Sequence, residues 1–68
     1  MEFKLKTEFI ELDNLLKVLE LVSCGAEAKR EILQGRIMVN GQIENRIRRK
    51  IRPGDIVEFN KEEIIVLK

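Results

Sequence analysis

An α+β fold follows from two features of this chain. The spacing of its apolar residues switches from helical to strand-like near residue 35, and three turn-forming pairs, Asn40-Gly41, Pro53-Gly54 and Asn60-Lys61, punctuate the second half. The expected architecture is a short N-terminal strand, two packed helices and a small antiparallel sheet of about four strands. Sixty-eight residues suit one domain spanning 1–68, with about 60% of the unfolded surface buried on folding.

The elements can be placed in order. Glu2 to Lys6 alternates polar and apolar residues around Phe3 and Leu5, the pattern of a half-buried strand. Leu12, Leu15, Leu16 and Leu19 then follow i, i+3, i+4, i+7, the apolar stripe of an amphipathic helix. Ser23 is placed to N-cap a second helix running to about Gln34, although no Glu or Gln stands three residues later to complete a capping box. Ala28, Ile32 and Leu33 form its buried side, and Gly35 marks its end.

Ile37 to Val39 and Gln42 to Glu44 flank Asn40-Gly41, a pair suited to the two positive φ angles of a type I′ hairpin turn. A cationic strand, Arg46 to Arg52, runs into Pro53-Gly54-Asp55, where Pro and Gly suit the central positions of a type II turn. Ile56 to Phe59 and Glu63 to Leu67 complete the sheet around Asn60-Lys61.

Charge is segregated along the chain. The formal net charge is only +1, yet Lys29 to Arg52 holds eight cations (Lys29, Arg30, Arg36, Arg46, Arg48, Arg49, Lys50, Arg52) against Glu31 and Glu44, a net +6. The remainder is net −5. Extended, the Arg46–Arg52 segment would put Arg46, Arg48, Lys50 and Arg52 on one face with heads about 6.6 Å apart, and Ile47, Arg49 and Ile51 on the other. Such a ridge fits a polyanion.

Several classes lack their chemistry. One cysteine, Cys24, and no histidine leave neither an intramolecular disulfide nor an ordinary zinc ligand set, and a thiol without a resolving partner is a poor redox centre. No nucleophile–base pair or glycine-rich phosphate loop is present, so neither catalysis nor a cofactor is expected. The apolar runs are far short of the ~20 residues that span a bilayer, and a cytoplasmic protein is expected.

The segments Ser23-Cys24-Gly25-Ala26-Glu27-Ala28-Lys29-Arg30, Gly35-Arg36-Ile37-Met38-Val39-Asn40-Gly41 and Arg52-Pro53-Gly54-Asp55-Ile56-Val57 together resemble the S-four RNA-binding domain, named for the fourth protein of the small ribosomal subunit. The resemblance covers about residues 12 to 59 and is strongest to short stand-alone bacterial members. It implies two helices packed on a small sheet, with RNA lying over the second helix and the adjoining strands. Many members carry Arg where this chain has Cys24, so a contact often made there is missing or supplied by another residue.

The candidate RNA-binding residues are Lys29, Arg30, Arg36, Arg46, Arg48, Arg49 and Lys50. Backbone N–H groups near Ser23 and Gly25 would add a helix N-terminus as a modest anion site. With few aromatic residues to stack bases, recognition is expected to rest on phosphate and shape, favouring structured ribosomal or transfer RNA. The ribosomal subunit is a candidate partner and the chain is expected to be monomeric.

Phosphate contacts from Lys29, Arg30, Arg36, Arg46, Arg48 and Lys50 would give a salt slope of roughly −4 to −5. Two other classes share features with this reading. One is a protein-interaction module that docks an acidic partner surface. The other is a ubiquitin-like sulfur carrier, which would need a flexible C-terminal Gly-Gly where this chain has Val66-Leu67-Lys68.

Overall fold

The computed structural model describes residues 1–68. Strands β1 (Glu2–Lys4) and β2 (Ile10–Glu11) precede helices α1 (Leu12–Val18) and α2 (Gly25–Leu33). Strands β3 (Ile37–Val39), β4 (Gln42–Ile43), β5 (Lys50–Ile51), β6 (Ile56–Phe59) and β7 (Glu62–Leu67) follow. The α+β class holds, but the strand count is larger than expected. Five strands form one sheet in the order β1-β7-β6-β3-β4, and β2 pairs with β5 in a separate two-stranded ribbon.

The expected all-antiparallel sheet is also corrected: β1 lies parallel to β7, with Phe3 opposite Val66. Alternation in Glu2–Lys6 identifies a strand but says nothing about its partner. Because two helices intervene, β1 reaches the sheet by a long crossover, the connection that permits a parallel pair. The β2–β5 ribbon, two residues on each side, is too short to leave any period in the sequence.

The core lies between the helices and one face of the larger sheet. Leu12, Leu15 and Leu16 from α1 and Ala28 and Ile32 from α2 pack against Ile37, Val39, Val57, Phe59, Ile64 and Val66. Register explains why these sheet residues share a face: Ile37 pairs with Phe59, Val39 with Val57, and Val57 with Ile64. Truncating a fully buried leucine such as Leu15 to Ala would cost about 2–5 kcal/mol.

Both helices end in the same hydrogen-bonded motif. At α1 the Leu21 N–H donates to Leu16 and the Glu20 N–H to Lys17, with Glu20 at φ 59°. At α2 the Arg36 N–H donates to Glu31 and the Gly35 N–H to Ile32, with Gly35 at φ 75°. These are Schellman closures, which place the residue just past the C-cap in the left-handed region.

Ser23 is not the N-cap of α2. Cys24 occupies that position without a side-chain cap. Instead Glu27, three residues beyond it, reaches back so that its Oε1 accepts the Ser23 N–H and Oγ–H, both at 2.7 Å. The Glu27 carboxylate thus serves the residue before the N-cap, four positions away rather than the three of a capping box.

The turns follow their sequences. Asn40 and Gly41 have φ 52° and 83°, Asn60 and Lys61 have φ 56° and 67°, and Gly54 sits at φ 98°.

Candidate nucleic-acid interface

The cationic segment is not one extended strand. Only Lys50–Ile51 pairs as β5, while Arg46 to Arg49 forms a turn in which the Arg49 N–H donates to the Arg46 carbonyl at 3.3 Å. The cause lies in α1. Its first backbone donors, Leu12 N–H and Asp13 N–H, are accepted by the carbonyls of Arg49 (2.9 Å) and Ile47 (3.1 Å). A helix N-terminus leaves its first amides without internal partners, and here the cationic loop folds beneath them. Ile47 packs against the core, which pins the loop further.

The regular two-residue ridge is therefore replaced by a cluster. Arg46, Arg48, Arg49, Lys50 and Arg52 together line one shallow depression, and no other residue contributes to its wall. Arg49, which strand spacing assigned to the opposite side from Arg46 and Arg48, is brought in with them by the turn.

Glu44 lies at the root of this cluster, only 6% exposed. Its Oε2 accepts the Arg46 N–H and Nε–H, both at 3.0 Å, and its Oε1 accepts Arg46 Nη2 at 3.1 Å and Arg49 Nη1 at 2.6 Å. The Arg46 side-chain hydrogen bond is the chief reason its carboxyl is held down at about 2; Arg49 and the Arg46 amide add to this and burial opposes it. From the sequence Glu44 is the end of a hairpin strand and one of two acids within the cationic stretch. The one available signal was its isolation, as the sole acid between Ile32 and Gly54.

Phe9 is the second residue the sequence did not single out. Lys50 Nζ stands 4.9 Å from its ring centroid and Arg52 Cζ 5.9 Å, both within cation–π range. The β2–β5 pairing, with Ile10 opposite Ile51 and Glu11 opposite Lys50, carries Phe9 to that position.

The other predicted residues lie apart from this cluster. Lys29 and Arg30 are exposed on α2 and line a separate depression with Ala26, Leu33 and Gln34. Arg36, at the corner between α2 and β3, pairs with Glu31 at 3.3 Å. The junction after β4 links this corner to the cluster: the Glu44 N–H donates to the Ile37 carbonyl, next to Arg36.

The α2 N-terminus is less open to an anion than the sequence suggested, since the Ser23 N–H is already held by the Glu27 carboxylate. Backbone N–H groups of Glu27 and then Ala26 draw the exposed Cys24 thiol below its ordinary range. No group of acids and Cys24 is arranged to hold a metal ion, and no helix is long and apolar enough to cross a membrane.

Residues 3–67 match the family model described as the S4 domain. The chain is 36% identical over 53 residues to a probable ribosome maturation protein, RlbA, of Bacillus subtilis, covering 78% of this chain and 75% of that protein. It is 41% identical over 54 residues to YbcJ of Escherichia coli, a putative RNA-binding protein, covering 79% and 77% respectively.

The solution structure of E. coli YbcJ, described as revealing an ALFAL motif involved in RNA-binding, superposes with a TM-score of 0.74 at 37% identity. That superposition covers 98% of this chain and 86% of the other. With a family-model match across residues 3–67, nearly its full length, the chain belongs to the S4 domain family.

Proposed function

We propose that this protein is a non-catalytic, cytoplasmic RNA-binding domain that grips structured RNA, ribosomal or transfer-RNA-like, through phosphate contacts. The observation that carries the reading is the depression walled only by Arg46, Arg48, Arg49, Lys50 and Arg52. Such a concentration of cations, which Glu44 offsets only in part, attracts a polyanion. Lys29, Arg30 and Arg36 extend the basic surface toward α2, and the names of the B. subtilis and E. coli relatives point the same way.

Phosphate contacts alone do not separate RNA from DNA. The preference for RNA rests on the relatives, while the small aromatic content, which disfavours base stacking on single strands, favours a structured partner. The protein acts as a monomer, with one face for RNA.

Titration of a fluorescent ribosomal RNA hairpin tests this, with a DNA hairpin of matched sequence as competitor. Replacing Arg46, Arg48 and Lys50 together by Ala should weaken binding at least tenfold while the thermal melt stays cooperative. A folded triple variant that binds as tightly as the parent removes the cluster from the function. Equal competition by DNA removes the preference for RNA.

A further inference from the structure

We infer that Glu44 is a positioning residue for RNA: by fixing Arg46 and Arg49 together it builds a two-guanidinium seat for one backbone phosphate. The inference rests on the RNA-binding reading above and deepens it.

An acid inside a polyanion-binding surface lowers the local positive charge, so its presence there needs a reason. A carboxylate that is 6% exposed is tolerated only when paired and hydrogen-bonded. Glu44 uses both oxygens on two arginines and one backbone amide.

The geometry leaves donors over for a ligand. Arg46 meets Glu44 through Nε and Nη2, the side-by-side arrangement that orients a planar guanidinium. Its Nη1 makes no hydrogen bond in the protein, and its side chain is 70% exposed. Arg49 meets Glu44 through Nη1 alone, leaving Nε and Nη2 uncommitted on a side chain that is 30% exposed. Five N–H donors on each guanidinium exceed what one carboxylate can accept.

Both arginines also line the cationic depression, and the carboxylate takes up the rotamer freedom of two long side chains before any ligand arrives. Ordering such side chains on binding is otherwise charged against affinity. Charge and order thus act in opposite directions at Glu44, and the sign of one measurement separates them.

The test is Glu44→Gln, with affinity for a ribosomal RNA hairpin measured across a salt series. The expected result at physiological salt is binding weaker by about fivefold, from the ordering of two side chains. The dependence of log K on log salt should steepen by about 0.7 to 0.9, because one more cation is left to neutralise phosphate. Binding that tightens or stays unchanged overturns the inference, since charge alone predicts tightening.

In an Arg46→Gln, Arg49→Gln background, Glu44→Gln should no longer weaken binding; continued weakening would show that Glu44 acts through something other than the seat. Should Glu44→Gln fail to melt cooperatively, Arg46→Lys with Arg49→Lys decides the matter. It keeps Glu44 and the full charge but removes the planar fork, so weaker binding supports the seat and parental binding overturns it. A parent protein that binds no RNA overturns the functional proposal itself, whereas a parent that binds RNA alongside a tighter Glu44→Gln variant overturns only the role of Glu44.

Discussion

Asn40 and Asp55 tie the two glycine turns of the sheet to each other. Asn40 Nδ2 donates to Asp55 Oδ1 at 3.0 Å, and Asn40 Oδ1 accepts the Ile56 N–H at 2.9 Å. The second Asp55 oxygen accepts the Arg52 N–H at 2.9 Å, closing the Pro53-Gly54 turn. Asn40 therefore serves its own positive φ and also fastens β3 to the start of β6. The fastening holds Arg52 at the rim of the cationic depression.

Removing either side chain should loosen the same pair of turns. Asn40→Gly keeps the backbone conformation and loses the latch, so it should destabilise by about 1 kcal/mol, as should Asp55→Ala. Because they break one network, the double variant should fall short of the sum by about 0.5 kcal/mol or more. Urea unfolding of the four proteins measures this, and simple additivity would deny the coupling.

Glu20 closes α1 in the left-handed region at φ 59°, where a non-glycine residue pays a steric penalty of about 1–2 kcal/mol. Gly35 fills the equivalent place after α2 at φ 75°. Glu20→Gly should therefore raise stability by about 0.5–1 kcal/mol after the entropy of the unfolded glycine is subtracted. A lower melting temperature for this variant would contradict the argument.

The contrast between those two helix ends shows what was legible in the chain. Gly35 announced the end of α2, whereas Glu20 gives no signal, and only the break in the leucine stripe marked the end of α1. Asn40-Gly41 and Pro53-Gly54 were readable because their backbone angles restrict which residues can occupy them. The bend at Arg46–Arg49 was not, because it is imposed from outside: the free amides of Leu12 and Asp13 draw the carbonyls of Ile47 and Arg49 out of a ladder. The cations of the candidate site were legible from charge, strand spacing and the family resemblance. Their arrangement depends on Glu44 and Phe9, whose roles arise from tertiary contacts that no local pattern encodes.

Phe9 offers its ring to Lys50 and Arg52, and a leucine there would retain apolar bulk without the quadrupole. An exposed cation–π contact contributes about 0.5–1 kcal/mol. If the ring orients these cations toward RNA, Phe9→Leu should reduce affinity by about two- to fivefold. Anisotropy titration with a ribosomal RNA hairpin would show it, and unchanged affinity in a folded Phe9→Leu protein would assign the ring to packing alone.

Acid should expose the Glu44 contribution to stability. Its carboxyl is lowered from 4.5 to about 2 in the fold, so the native state favours the charged form. The resulting stabilisation is complete above the ordinary value and is lost as pH falls toward about 2. Parent and Glu44→Gln melting temperatures should differ most near neutral pH and converge between pH about 4.5 and 2. A gap that stays constant through that window would show that ionisation of Glu44 is not its source.

The salt dependence should distinguish cations that are free from those already paired. Arg36 is engaged by Glu31 at 3.3 Å, while Arg48 has no ion-pair partner in the protein and stands at the exposed tip of its turn. Counterion release counts the phosphates that protein cations neutralise, so an arginine held by a carboxylate should contribute less than a free one. Arg48→Ala should flatten the slope of log K against log salt by about 0.7 to 0.9, and Arg36→Ala by less than half as much. Equal flattening at the two positions would mean that Arg36 leaves Glu31 for a phosphate when RNA binds. In that case the α2 corner would be a full part of the RNA surface, and the expected slope would return toward the roughly −4 to −5 of six contacts.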